Sequence, residues 1–110
     1  MRKFLAVLFV CSLALPLASP TRTGNIYGTV VDGEGTPLPG VSVTLTGPTT
    51  ATMAKTTSAA GKFRFLSLFP GNQYQIKAEL EGFKTKVEKG VIVNAGVDSH
   101  ITVAMQIGAL

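Results

Sequence analysis

The sequence predicts an all-β protein built as a sandwich of short strands. Three observations carry this expectation. Apolar and polar residues alternate in short runs from residue 24 onward, turn residues interrupt the runs at fairly regular intervals, and no stretch after residue 20 sustains a helical period. Composition agrees, with 12 glycines for turns, no tryptophan and only 15% charged residues. A chain of 110 residues has room for one domain.

The first residues stand apart from that pattern. Arg2 and Lys3 precede an apolar run from Phe4 to Leu15, followed by Pro16-Leu17-Ala18-Ser19, which is the arrangement of a helical signal peptide over residues 1–19. The run falls short of the roughly 20 apolar residues that a spanning helix needs. The expectation is therefore an exported protein, touching a membrane only through an uncleaved leader. Cys11, the one cysteine, lies inside this run behind the bulky Phe9-Val10, a poor setting for lipidation. The remainder has no thiol for a disulfide or a thiolate metal site. Without Arg2 and Lys3 the net charge falls from +4 to +2, eight Lys and Arg against six Asp and Glu. So weak and dispersed a charge, with no basic cluster among aromatics, argues against nucleic acid as a partner.

Residues 20–23 read as a linker, and the sandwich is expected over 24–107 with a tail at 108–110. The first strand spans Asn25 to Val31, with Ile26, Gly28 and Val30 on one face and Tyr27, Thr29 and Val31 on the other. Asp32-Gly33-Glu34-Gly35-Thr36-Pro37 reverses the chain. Val41 to Thr46 is the cleanest alternation, Val41, Val43 and Leu45 inward and Ser42, Thr44 and Thr46 outward. Ala54–Thr57 is expected to be a short edge strand. Lys62 to Leu66 follows, with Phe63 and Phe65 inward and basic residues outward. Pro70-Gly71-Asn72 reads as a turn, and Tyr74, Ile76 and Ala78 face inward from the next strand. A bend at Gly82-Phe83 leads to a polar edge strand at Lys84–Glu88, then to a strand at Val91–Val93 and a last one at Ser99–Ile107. The spacing is the signature of an antiparallel sandwich or small barrel, and seven or eight such short strands make two sheets face to face. The inward set is Ile26, Val30, Val41, Val43, Leu45, Phe63, Phe65, Tyr74, Ile76, Val93, Ile101 and Val103, enough for a thin core in a chain of this size.

Four blocks carry a resemblance to a known family. Residues 28–45 (Gly-Thr-Val-Val-Asp-Gly-Glu-Gly-Thr-Pro-Leu-Pro-Gly-Val-Ser-Val-Thr-Leu), Gly61-Lys-Phe-Arg-Phe-Leu, Pro70-Gly-Asn-Gln-Tyr and Glu81-Gly-Phe stand in an order and spacing similar to those of the carboxypeptidase regulatory-like domain. The resemblance implies a transthyretin-like (prealbumin-like), seven-stranded Greek-key sandwich. It also implies the settings of that family: beside carboxypeptidase catalytic domains, in surface proteins, and at the N-terminus of TonB-dependent outer-membrane receptors. The closing Val103-Ala-Met-Gln-Ile-Gly-Ala-Leu is similar to the junction at which such receptors continue. The chain is thus expected to be either a small exported module or the leading part of such a receptor.

Catalytic patterns fare poorly. Asp98-Ser99-His100 contains the letters of a triad, but neighbours on a strand point to opposite faces. One histidine and no mature cysteine do not make a zinc site. Asp32 and Glu34 flank a turn, and two carboxylates fall short of the oxygen shell calcium wants. The hydrolases that share the transthyretin-like fold need several histidines and a C-terminal Tyr-Arg-Gly-Ser, where this chain has Ile-Gly-Ala-Leu. The expectation is a non-enzymatic monomer without a cofactor, found in the periplasm, at the outer membrane or outside the cell. It would serve an envelope protein or receptor as an interaction or spacing module, using the edge strands for strand addition. The alternative is a carbohydrate-binding module, for which Tyr27, Tyr74, Phe69 and Phe83 are the candidate stacking residues.

Overall fold

Residues 22–48 and 51–108 are described by a computed structural model of the chain. The expected leader at 1–19, its junction at residues 20 and 21, and Ala109 and Leu110 lie outside the described residues. Seven strands form in order: β1 (Gly24–Val31), β2 (Ser42–Thr46), β3 (Met53–Thr56), β4 (Lys62–Leu68), β5 (Gly71–Glu79), β6 (Lys86–Val93) and β7 (Asp98–Ala104). They make a three-stranded sheet of order β4-β1-β7 and a four-stranded sheet of order β3-β2-β5-β6. This is the expected β-sandwich.

Alternation decides which side chains lie between the sheets. Ile26, Val30, Val43, Leu45, Phe65, Ile76 and Val103 are fully buried, and Val41, Phe63, Tyr74 and Val93 are buried with them. Leu68, Ala78 and Met105 complete the core, while Ile101 is half-buried against it. Each large apolar side chain removed from water contributes about 1.5–3 kcal/mol toward the ordering entropy of the chain. One polar residue joins them. Thr57 is 5% exposed; its Oγ1 accepts the Val41 N–H at 2.8 Å and donates to the Leu38 carbonyl at 2.8 Å. Backbone bonds from Thr57 N to Val41 O and from Gly40 N to Thr57 O reinforce the tie. It fastens the end of β3 to the start of β2, and the hydroxyl both accepts and donates, as a buried hydroxyl requires.

Apart from shifts at strand ends, as where the strand expected over Ser99–Ile107 stops at Ala104, the structure departs from expectation in three places. The strands expected at Lys84–Glu88 and Val91–Val93 are one strand, β6. Lys89-Gly90 reads as a break, yet Gly90 adopts φ 68° and the register steps from Tyr74↔Val91 to Ile76↔Glu88. Two residues advance on β5 while three advance on β6, which is a bulge that a left-handed glycine accommodates. Second, the turn expected at Pro70-Gly71-Asn72 is shorter, and β5 already begins at Gly71. Third, β1 and β7 pair in parallel, Asn25↔Asp98 through Val31↔Ala104. The reason is the connection after β6. It crosses from one sheet to the other and is pinned beside the start of β1 by Gly96 N to Thr23 O and Asn25 N to Val97 O. Starting there, β7 runs along β1 in the same direction, with the rest of the sandwich serving as the long crossover that parallel pairing needs.

Candidate functional site

β1 is the centre strand of the smaller sheet, and its register sets the outer face of that sheet row by row. Tyr27 lies opposite Arg64 of β4 on one side and opposite His100 of β7 on the other. In the next outward row, Thr29 lies between Lys62 and Thr102. Side chains two apart on a strand share a face, so these six form a grid. The Tyr27 and His100 rings meet at 5.5 Å between centroids and 56° between planes. The Lys62 ammonium donates to Thr29 Oγ1 at 3.3 Å. Lys62, Arg64, His100 and Thr102 are exposed, and Tyr27 and Thr29 are half-buried.

A concavity of about 630 Å³ opens over this grid, and no acidic side chain lines it. Gly28 is among its lining residues, on the inward face of β1 between Tyr27 and Thr29. The Phe63 ring from the neighbouring strand fills the inner side of that position, so a Cβ on Gly28 would collide with Phe63 Cζ. The two ion pairs found among the described residues belong to the other sheet: Lys77 with Glu79 at 3.7 Å and Lys86 with Glu88 at 3.8 Å. Asp98 lies one row beyond His100 on β7, where Asn25 Nδ2 donates to it at 2.8 Å. Cationic groups therefore face the concavity without a carboxylate partner among the described residues.

The four aromatic candidates are not brought together. Tyr27 sits on this grid. Tyr74 is 3% exposed in the core, its hydroxyl donating to the Phe69 carbonyl at 2.6 Å. Phe69 is 52% exposed at the corner between β4 and β5. Phe83 packs half-buried beside the core and forms an isolated bridge to Ile107. The residues the sequence reading missed as a group are Lys62, Arg64 and His100. Their outward direction follows from alternation, but their convergence on Tyr27 depends on the register of three strands far apart in the chain.

Other chemistry resolves into structure. Ser99 donates to the Ile92 carbonyl at 3.3 Å and Asp98 is held by Asn25, so neither converges on His100. Asp32 Oδ1 accepts the N–H groups of Glu34 and Thr36 at 2.8 and 2.9 Å, the work of a turn-forming aspartate. Among the described residues there is no group of three or more His, Cys, Asp or Glu placed to hold a metal ion. Among the same residues no helix is long and apolar enough to cross a membrane.

The carboxypeptidase regulatory-like domain matches residues 25–106, the whole sandwich from β1 to the residue after Met105. The chain belongs to that family. No curated protein matches its sequence. Among solved structures, this regulatory-like domain is similar to a part of the Bacillus anthracis TIE protein, at a TM-score of 0.68 and 18% identity over 78% of this chain and 17% of that one. It is also similar to GBS52, the minor pilin of Streptococcus agalactiae, at a TM-score of 0.61 and 18% identity over 81% and 46%. A third is 3-chlorocatechol 1,2-dioxygenase from Rhodococcus opacus 1CP, at a TM-score of 0.62 and 13% identity over 81% and 62%. The domain thus spans less than two thirds of each of these proteins. A pilin and a dioxygenase in one set make plain that the likeness is one of fold.

Proposed function

We propose that this regulatory-like domain is an exported, non-catalytic module that joins or spaces proteins at the bacterial envelope, either on its own or as the leading extension of a TonB-dependent receptor. The observation that carries the reading is the outer edge of β6. This eight-residue strand is the rim of the four-stranded sheet, bonded to β5 on one side. It exposes Val87 (37%) and Ile92 (53%), and its outer edge pairs with no other strand, Ser99 taking one carbonyl there, that of Ile92. An edge of that length presents backbone donors and acceptors to an incoming strand. β3, the opposite rim, has only four residues. The leader-like residues 1–19 support export, and the fold shared with a minor pilin supports a place outside the cytoplasm. We take the module to be a monomer that meets its partner through this edge.

Site-specific photo-crosslinking in cells expressing the full chain tests the proposal. A crosslinker at Lys89 of β6 is expected to give one discrete adduct in the envelope fraction. That adduct is expected to disappear when Val87 and Ile92 are both replaced by Lys, which guards an edge against pairing. Retention of the protein in the cytoplasm, or an adduct indifferent to the two lysines, overturns the reading.

A further inference from the structure

We propose that the outer face of the β4-β1-β7 sheet is a second binding site, for a carboxylate-bearing saccharide of the uronate type. The site is separate from the β6 edge and does not depend on it. Its central strand decides the mode of recognition. β1 is paired on both sides, so its backbone has no open ladder to offer a peptide strand. Whatever binds here is recognised by side chains. Those side chains are two cations, an aromatic pair and two hydroxyls, arranged in two rows across three strands.

Charge points to an anion. Arg64 and Lys62 line the concavity on one side and His100 on the other, with no carboxylate among the lining residues. Arg64 presents a planar fork that matches a carboxylate with two parallel hydrogen bonds. Lys62 spends one of its three donors on Thr29 and keeps the others for an incoming oxygen. Asp98, one row away and held by Asn25, marks where the cationic surface ends.

The aromatic pair points to a sugar. The half-buried Tyr27 ring, braced by His100 at a tilt, offers an apolar face with a polar hydroxyl at its tip, which suits a ring with one C–H face and a hydroxylated rim. The hydroxyls of Thr29 and Thr102 lie in the adjoining row, where such a rim finds donors and acceptors. Dimensions agree. Three strands span about 9.5 Å and two rows about 6.7 Å. That is a footprint for a short oligosaccharide and narrower than the roughly 10–12 Å of a helix with its side chains.

The test is a titration of protein recovered from cells expressing the full chain, followed by backbone amide NMR. The probes are an oligogalacturonate, its neutral galactose counterpart and poly-glutamate. Oligogalacturonate is expected to shift amides of β1, β4 and β7 around Tyr27, with the neutral sugar weaker by at least about tenfold. Replacing Lys62 and Arg64 together with Ala should weaken binding by about tenfold or more, the loss of charge-assisted hydrogen bonds. Tyr27→Ala should weaken it several-fold, while Lys77→Ala with Lys86→Ala on the other sheet should leave it unchanged. These are surface positions, where substitutions usually leave the fold intact. Absence of binding overturns the proposal, as does equal loss from the Lys77 and Lys86 changes. Poly-glutamate binding as tightly as the uronate, with Tyr27→Ala silent, also overturns it, because the face would then be merely cationic. None of these results bears on the β6 adduct, so the two readings fail separately.

Discussion

Replacing Gly28 with alanine sets two opposed effects against each other. In a strand with ordinary backbone angles, alanine is favoured over glycine by about 0.5–1 kcal/mol, because it loses less freedom on folding. Here the new Cβ would collide with Phe63 Cζ and Cε2 and lie 2.8 Å from Cε1. The ring must leave, and it is only 6% exposed and set edge-on to Phe65 at 5.8 Å. Overpacking of this kind costs about 1–3 kcal/mol, and spoiling an aromatic pair costs about 0.5–1.5 kcal/mol more. The clash wins, for a net loss of about 2 kcal/mol. For a domain of this size that lowers Tm by about 8–16 °C, and lowers the urea midpoint by about 1–2 M. Thermal and urea unfolding of the two proteins measure it. The control is Phe63→Leu, which removes the obstructing ring and should leave the added alanine nearly neutral. A Gly28→Ala protein as stable as the parent would refute the reasoning. So would a loss that is undiminished in the Phe63→Leu background.

Two further predictions concern stability. Thr57→Val keeps the shape but strands the Val41 N–H and the Leu38 carbonyl, and should cost about 1–3 kcal/mol. Thr57→Ser should recover most of that in the same urea titration, and a valine variant of parental stability would count against the hydrogen-bond account. Gly90→Ala should cost about 1 kcal/mol from its φ of 68° alone, since a Cβ there meets nothing within 4 Å. Gly90→Asn should cost less, and equal stability of all three proteins would show that β6 can shed its bulge.

How far the sequence could be read follows from which rule each residue obeys. Val41 to Thr46 obeys strict alternation, so its buried and exposed sides were legible, as were those of Tyr74, Ile76 and Ala78. The two rims of the larger sheet were legible as well, because short or charged strands suit edges. β6 was misread at Lys89-Gly90, since a left-handed glycine serves a bulge and a turn equally well and only the partner strand tells them apart. The parallel course of β7 was hidden for a similar reason. It follows from where the connection after Val93 is pinned, which is a property of Thr23 and Asn25 far upstream. The site shows the same division. Tyr27 could be singled out as an outward aromatic, and the outward basic residues of β4 could be seen. That Arg64, Tyr27 and His100 share one row could not, because register between strands leaves no local mark on composition.

The parallel seam between β1 and β7 has a mechanical consequence. The chain enters β1 at Gly24 and leaves β7 at Ala104, at opposite ends of adjacent strands held by seven register pairs. Tension along the polypeptide, applied before Gly24 and after Ala104, therefore pulls the two strands lengthwise past each other. All seven pairs bear the load together, and the seam cannot be opened one bond at a time like a hairpin pulled from its ends. The same layout sets entrance and exit about 20 Å apart along the strand axis. A segment strung between two anchors would thus transmit force through its stiffest direction while keeping both sheets, and the face around Tyr27, intact.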